Sequence, residues 1–260
     1  MRNSSNYILF FVGTLTAIVA LVLSLMYTGL KDIHAENEAI FNKRAILSAV
    51  SNYLDKPVDQ MTDQQVQSVF DDKMEQQVIN YQGESVSSEK VEALGYKGGK
   101  AEDIDMAKEK KKPAEDRVYP VFKFNDEGDQ YYIVAIRGNG LWDEIWGNIA
   151  IKEDFNTVAG ASFDHKGETP GLGAEIKDNP SFSKQFQGKE LYNDSGEYVS
   201  ITVRKGGAKD PDHEVDAITG ATITCDGVTD MLYKGIKNYE NYFEKLKAGD
   251  GSGKMGMLIQ

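Results

Sequence analysis

Residues 117–142, RVYPVFKFNDEGDQYYIVAIRGNGLW, decide the fold. Two runs rich in β-branched and aromatic residues, VYPVFKF and QYYIVAIRG, flank the turn signal Asn125-Asp126-Glu127-Gly128, and together they predict paired strands. Downstream, GNIAI (147–151), TVAGASF (157–163) and YVSITVRK (198–205) predict further strands. In the last of these, Val199, Ile201 and Val203 alternate with Ser200, Thr202 and Arg204, the period of a half-buried strand. A final helix is expected from near Asp226 to about Lys247, with Val228, Met231, Leu232, Ile236, Tyr239 and Phe243 on its apolar face. Strands are grouped, helices lie outside the group, and no βαβ unit repeats. The class is therefore α+β.

Working outward toward the N-terminus, residues 82–115 are polar and charged, with KEKKK near the centre, and read as an exposed excursion or partly disordered loop. The run Lys108–Lys112 reads as a solvated face. Before it, Thr62-Asp63-Gln64-Gln65 fits a capping box, and Val66, Val69, Phe70, Met74 and Val78 follow at helical spacing. Residues 35–54 predict another helix, with Phe41, Ala45, Ile46 and Ala49 on one stripe. Residues 3–30 are uncharged, and 7–30 form an apolar run long enough for a bilayer core, which takes roughly 20 residues. A cleaved signal would have a shorter apolar run and a better cleavage site than Ile33-His34-Ala35, so a retained anchor is expected. Arg2 leads the run while Asp32 offsets Lys31, a mild bias toward a cytoplasmic N-terminus with the bulk of the chain on the outer face.

The 260 residues carry a net charge of −12. An acidic chain argues against nucleic acid and against anionic lipid headgroups as partners. One cysteine, Cys225, excludes an internal disulfide framework, and three scattered histidines form no recognisable zinc motif. Cys225 reads as a small buried residue without redox work.

Three glycine-rich segments differ from ordinary turns. Gly138-Asn139-Gly140-Leu141-Trp142 fits either a hairpin turn followed by a core tryptophan or one wall of an aromatic-ligand site. His165-Lys166-Gly167-Glu168-Thr169-Pro170-Gly171-Leu172-Gly173 is a tight, shaped loop whose backbone N–H groups can face a ligand. Glu168 alone, without a partner carboxylate, is weak evidence for acid–base catalysis, and His165 reads as a polar turn residue. Asp216-Ala217-Ile218-Thr219-Gly220-Ala221-Thr222-Ile223-Thr224 precedes the last helix, where unpaired N–H groups and the macrodipole favour an anion. The alternative is plain capping by Thr224 or Asp226.

In this order the strings GNGLW, HKGETPGLG and DAITGAT resemble the FMN-binding domain of the C subunit of the Na⁺-translocating NADH:quinone oxidoreductase. DAITGAT matches that family's flavinylation pattern Asp-x-x-(Ser/Thr)-Gly-Ala-Thr, and the resemblance covers most of the chain. It implies an N-terminal transmembrane helix followed by a mostly antiparallel-sheet FMN-binding domain flanked by helices. Expected bounds are an anchor over 1–30, a helical lead-in with its excursion over 31–115, the FMN-binding domain over 116–247 and a flexible tail over 248–260. It implies a covalent FMN, attached by a separate flavin transferase as a phosphoester on Thr222, with Asp216 part of the pattern that enzyme reads. Trp142, Thr169, Gly171 and Leu172 would line the isoalloxazine. Thr219, Gly220 and Ala221 would shape the attachment loop, and Lys205 would neighbour the phosphate. The flavin would relay electrons among the other subunits of a complex in the bacterial inner membrane that oxidises NADH, reduces ubiquinone and exports Na⁺, with the flavin domain on the periplasmic face. No dinucleotide motif occurs in this chain.

A second family, the flavin-bearing G subunit of the Rnf-type ferredoxin:NAD⁺ complex, would share the anchor, the glycine loop and the flavinylated threonine. The GLW string, the preceding histidine and the helical lead-in favour the quinone reductase. A membrane-tethered binding module without covalent flavin is the reading of another class, and it would hold no flavin after denaturation. A freestanding oxidoreductase lacks a paired acid–base set.

Overall fold

The computed structural model describes residues 5–255 and forms two units, one ending at Phe41 and one beginning at Asn42. The expectations resting on Arg2 and on residues 256–260 lie outside the described residues.

Helix α1 is continuous from Ser5 to Ser48. Its apolar window reaches a mean hydropathy of 2.6, long and apolar enough to cross a membrane by length and composition. The expected break near residue 31 is absent, because Lys31-Asp32 contains neither proline nor a helix-ending glycine. The lead-in helix predicted over 35–54 is thus the end of α1, and it stops six residues early in a 3-10 turn over Ser51–Tyr53. Ile46 and Ala49 are buried as expected, with Leu47 and Val50, whereas Phe41 is exposed.

Thr62 caps α2 (Asp63–Lys73) through the predicted box: its hydroxyl accepts from the Gln65 N–H, and the Gln65 side chain accepts from the Thr62 N–H. Met74 and Val78 do not continue that helix. They belong to strand β1 (Met74–Asn80), antiparallel to β2 (Val118–Asp126). A spacing of four residues keeps two side chains on one face of a helix and of a strand alike, so the pattern was ambiguous.

The 82–115 excursion is an ordered layer. It contains α3 (Ser88–Ala93) and α4 (Met106–Glu109) with 3-10 turns, and it buries Val91, Tyr96, Ala101 and Ile104. Within the run expected to be a solvated face, Glu109 is fully buried and accepts from Tyr96 Oη, from Lys112 Nζ at 2.6 Å and from the Val118 N–H at 2.9 Å. Satisfying that carboxylate ties the segment to the start of β2.

Strands β1, β2, β3 (Asp129–Asn139), β4 (Glu144–Lys152) and β5 (Val158–His165) form an antiparallel meander in sequence order. One face, with Tyr132, Val134, Ile136, Ile149 and Phe163, packs in the main core against the C-terminal helices. On the other, Phe122 meets Phe70 of α2 with ring centroids 6.0 Å apart. Short helices α5 (Glu175–Asp178) and α6 (Pro180–Lys184) follow β5. The predicted strand over 198–205 shrinks to β6 (Thr202–Arg204), parallel to β7 (Glu214–Asp216). Ser200 adopts φ +60° and is buried, which breaks the alternation before it is established.

The last helix is two. Helix α7 runs Thr222–Lys237, starting four residues before the expected Asp226, and α8 runs Glu240–Met255 into the segment expected as tail. Between them Tyr239 is buried, its hydroxyl donating to the Ala135 carbonyl at 2.8 Å.

Candidate functional site

Topology brings the three glycine-rich segments to one end of the sheet. Gly138 pairs with Ile145 and Asn139 with Glu144, so GNGLW forms the β3–β4 hairpin. Ile145 also pairs with His165, so the loop after β5 starts beside the same hairpin. Helix α7 runs along β3 in the reverse sense: Gly235 lies against Ile136, Met231 against Gly138 and Gly227 against the Asn139 carbonyl. Its N-terminus therefore arrives where both loops do. A Cβ at Gly138 would sit 2.6 Å from Met231 Cβ, and one at Gly227 would strike the Asn139 carbonyl. Glycine at these positions is what lets the helix lie this close.

Trp142 is not a core residue; it is 69% exposed, and its indole N–H donates to Thr169 Oγ1 at 3.1 Å. That settles the open choice at the first glycine segment in favour of an exposed ring. Thr169 in turn orders its own loop, its carbonyl accepting from the Leu172 and Ala174 N–H groups at 3.1 Å each. Gly171 takes φ +73°, and exposed Leu172 reaches Gly220 (φ +82°), where a Cβ would lie 2.7 Å from Leu172 Cδ2. Thr169, Leu172 and Gly220 thus adjoin one another, with Gly171 in the turn between the first two and Trp142 at the edge.

Ala221 occupies the N-cap position of α7 with no side-chain cap, and exposed Thr222 is the first helical residue. Neither Thr224 nor Asp226 caps the helix. The first-turn N–H groups lack intrahelical partners by construction, so this end offers donors and a positive dipole to an anion. Thr219 is exposed in the turn before it, and the Ala221 N–H bonds the Ile218 carbonyl at 3.1 Å. Exposed Leu141 and Ile223 add apolar surface at this end.

Lys205 lines a groove of about 520 Å³ between β6 and α7, together with Asp226, Thr229 and Tyr233. Cys225 is buried, and burial pushes its thiol pKa up, as suits a structural rather than reactive sulfur.

Glu168 joins two of these segments. It is only 4% exposed; one carboxylate oxygen accepts from the Trp142 N–H at 2.9 Å and the other from the Thr224 hydroxyl at 2.7 Å. It is packed between Gly140 and Gly173, where any added Cβ would collide with its oxygens. Its own N–H donates to His165 Nδ1 at 3.2 Å. No local signal could have exposed this role, since the partners lie 26 and 56 residues away. The hairpin flank is tied down separately: Arg137 lies 2.8 Å from Glu144 and holds that carboxyl below its ordinary range, and Lys110 donates to Asn139 Oδ1 at 2.6 Å. Among the described residues, no group of three or more His, Cys, Asp or Glu side chains could hold a metal ion.

A family model described as the FMN-binding domain matches residues 140–237, the stretch that contains all these loops. The C subunit of the Na(+)-translocating NADH-quinone reductase of Pseudomonas aeruginosa is 32% identical, over 91% of this chain and 97% of that protein. The corresponding C subunit of Neisseria meningitidis serogroup B is 31% identical over 95% of this chain and 96% of that protein. Among solved structures, the C subunit from Parabacteroides distasonis superposes with a TM-score of 0.69 at 33% identity, covering 82% of this chain and 96% of that one. Shewanella oneidensis NqrC superposes with a TM-score of 0.64 at 29% identity, covering 80% and 99%. The chain belongs to the C-subunit family of the Na⁺-translocating NADH-quinone reductase, and it supplies that enzyme complex with an FMN-binding domain.

Proposed function

We propose that the chain carries its FMN covalently, as a phosphoester on Thr222, and relays electrons through it to other subunits of the complex. The observation that carries this reading is the placement of Thr222: an exposed hydroxyl on the first residue of an uncapped helix, beside loops that leave an indole and a leucine uncovered. A phosphate diester there meets the first-turn N–H groups and the positive end of the dipole. Trp142, Thr169, Gly171 and Leu172 would line the isoalloxazine, and Thr219, Gly220 and Ala221 would give the attachment loop its shape. Lys205 shares its groove with Asp226, one turn beyond Thr222, and serves as the phosphate's cationic neighbour. FMN would supply the redox chemistry when bound, and the protein's contribution is binding, orientation and electrostatics.

Attachment forms one bond from phosphorus to Thr222 Oγ1. The hydroxyl gives up its proton and phosphorus releases its former oxygen substituent, so the chain gains FMN less one water. A flavin transferase would carry out this step, reading the pattern that starts at Asp216. Helix α1 would cross the bacterial inner membrane once, with its N-terminus cytoplasmic and the flavin domain on the periplasmic face.

Co-expression with a flavin transferase followed by a denaturing gel tests this reading. Wild type should keep flavin fluorescence in the protein band, Thr222→Ala should lose it and Thr222→Ser should keep it. A dark wild-type band beside an active transferase would move the tethered binding module to the front.

A further inference from the structure

Among the described residues four carboxylates are buried: Glu109, Asp164, Glu168 and Glu214. Three of them pair with a cation, Glu109 with Lys112 at 2.6 Å, Asp164 with Lys177 at 2.8 Å, and Glu214 with Arg204. Glu168 instead bonds an amide N–H and an aliphatic hydroxyl, both neutral. Two donors aimed at its two oxygens suit the ionised form, because a carboxylate is an acceptor only. A buried charge without a counter-charge costs folding free energy, so its retention calls for a compensating role.

From this geometry we propose that Glu168 is a positioning residue with an electrostatic consequence. It clamps the indole-bearing hairpin to the first turn of α7, and it leaves a fixed negative charge under the flavin site. The proposal rests on the reading that FMN is carried on Thr222. Thr224 and Thr222 share one helical turn, and Trp142 lies two residues beyond Gly140, which packs against Glu168 Oε1. The carboxylate thus fixes the ring wall relative to the attachment point. Adding an electron to a flavin puts negative charge on the ring, and a nearby fixed anion in low dielectric opposes it. Glu168 therefore lowers the midpoint potential of the bound flavin, beyond any part it plays in holding the loops.

The space around the Glu168 oxygens is closed by glycines at 140 and 173, so the site admits no bulkier neighbour. Glutamine fits the same space. Its carbonyl can accept from the Trp142 N–H while its amide donates to a turned Thr224 hydroxyl. Glu168→Gln thus removes the charge and keeps the clamp, whereas Glu168→Ala removes both.

The test uses the full chain in detergent, matured with a flavin transferase or left without flavin. With flavin, Glu168→Gln should retain the fluorescent band and shift the midpoint potential upward. Without flavin, hydrogen exchange at the Trp142 amide should stay near wild type in Glu168→Gln and rise about ten-fold or more in Glu168→Ala, as loss of a hydrogen bond to a charged group implies. An unmoved potential in Glu168→Gln overturns the electrostatic claim. Unchanged exchange in Glu168→Ala overturns the clamp. If wild type carries no flavin, the Thr222 reading falls and the charge claim falls with it, while exchange in the flavin-free chain still decides the clamp.

Discussion

Two buried glutamates organise two regions of this domain by different means. Glu109 holds the 82–115 layer to the sheet through a phenol, an ammonium and a backbone N–H, so its charge is balanced on the spot. Glu168 holds the loop end together through an amide and a hydroxyl alone, so its charge is left over. The first arrangement suits a purely structural joint. The second suits a joint beside a redox group, where a residual field has something to act on.

Breaking the structural joint should give the largest effect on folding. Glu109→Ala leaves the Tyr96 hydroxyl and the Val118 N–H without their acceptor, and two buried donors left unsatisfied cost about 3 kcal/mol. Denaturant unfolding should read that loss, with new proteolytic cuts between residues 88 and 117 and flavin retention unchanged. Loss of flavin in this variant would show that the two regions are not independent.

At the other joint, Gly227→Ala drives a methyl group into the Asn139 carbonyl and pushes α7 off β3. Overpacking of this kind costs about 2 kcal/mol. Here the flavin absorption spectrum should change along with the melting temperature, because the moved element carries Thr222. A lower melting temperature with an unaltered spectrum would separate the helix position from the cofactor environment.

Tyr96→Phe removes one of three donors from Glu109 and leaves its cation, for about 1.5 kcal/mol by chemical denaturation and no shift in flavin potential. Glu168→Gln should do the reverse, shifting potential with little change in stability.

The smallest effect concerns alkaline pH. Burial and then Glu109 push the Tyr96 hydroxyl upward, and burial pushes Tyr131 and Tyr192 up to about 12. A raised folded-state pKa means the native state holds its proton more tightly than the unfolded chain. That stabilisation is complete below the unfolded value near 10 and is lost as pH climbs through the folded values. Melting temperature should therefore hold to about pH 10 and fall between about pH 10 and 12. The groups that Glu168 holds do not titrate in that window, so exchange at the Trp142 amide should lag behind the global loss.

Much of this architecture was legible in the sequence because the signals were local. The Thr62 box, the hairpin around Asn125–Gly128 and the three glycine loops are all written within nine residues or fewer. What escaped was non-local. KEKKK reads as solvated until Tyr96 and Val118 close over Glu109. Met74 and Val78 fit both periods until β2 pairs with them. The left-handed Ser200 has no side-chain signature, and α7 begins among β-branched residues that argue weakly for helix. Glu168 looked like a lone carboxylate because both of its partners arrive through the fold.

Fragmentation mass spectrometry of the transferase-matured wild-type chain tests attachment at Thr222 most directly. A peptide spanning residues 216–224 should be heavier by FMN less one water, with fragment ions placing the whole gain on Thr222. An unmodified peptide, or a gain placed on Thr219 or Thr224, would contradict it.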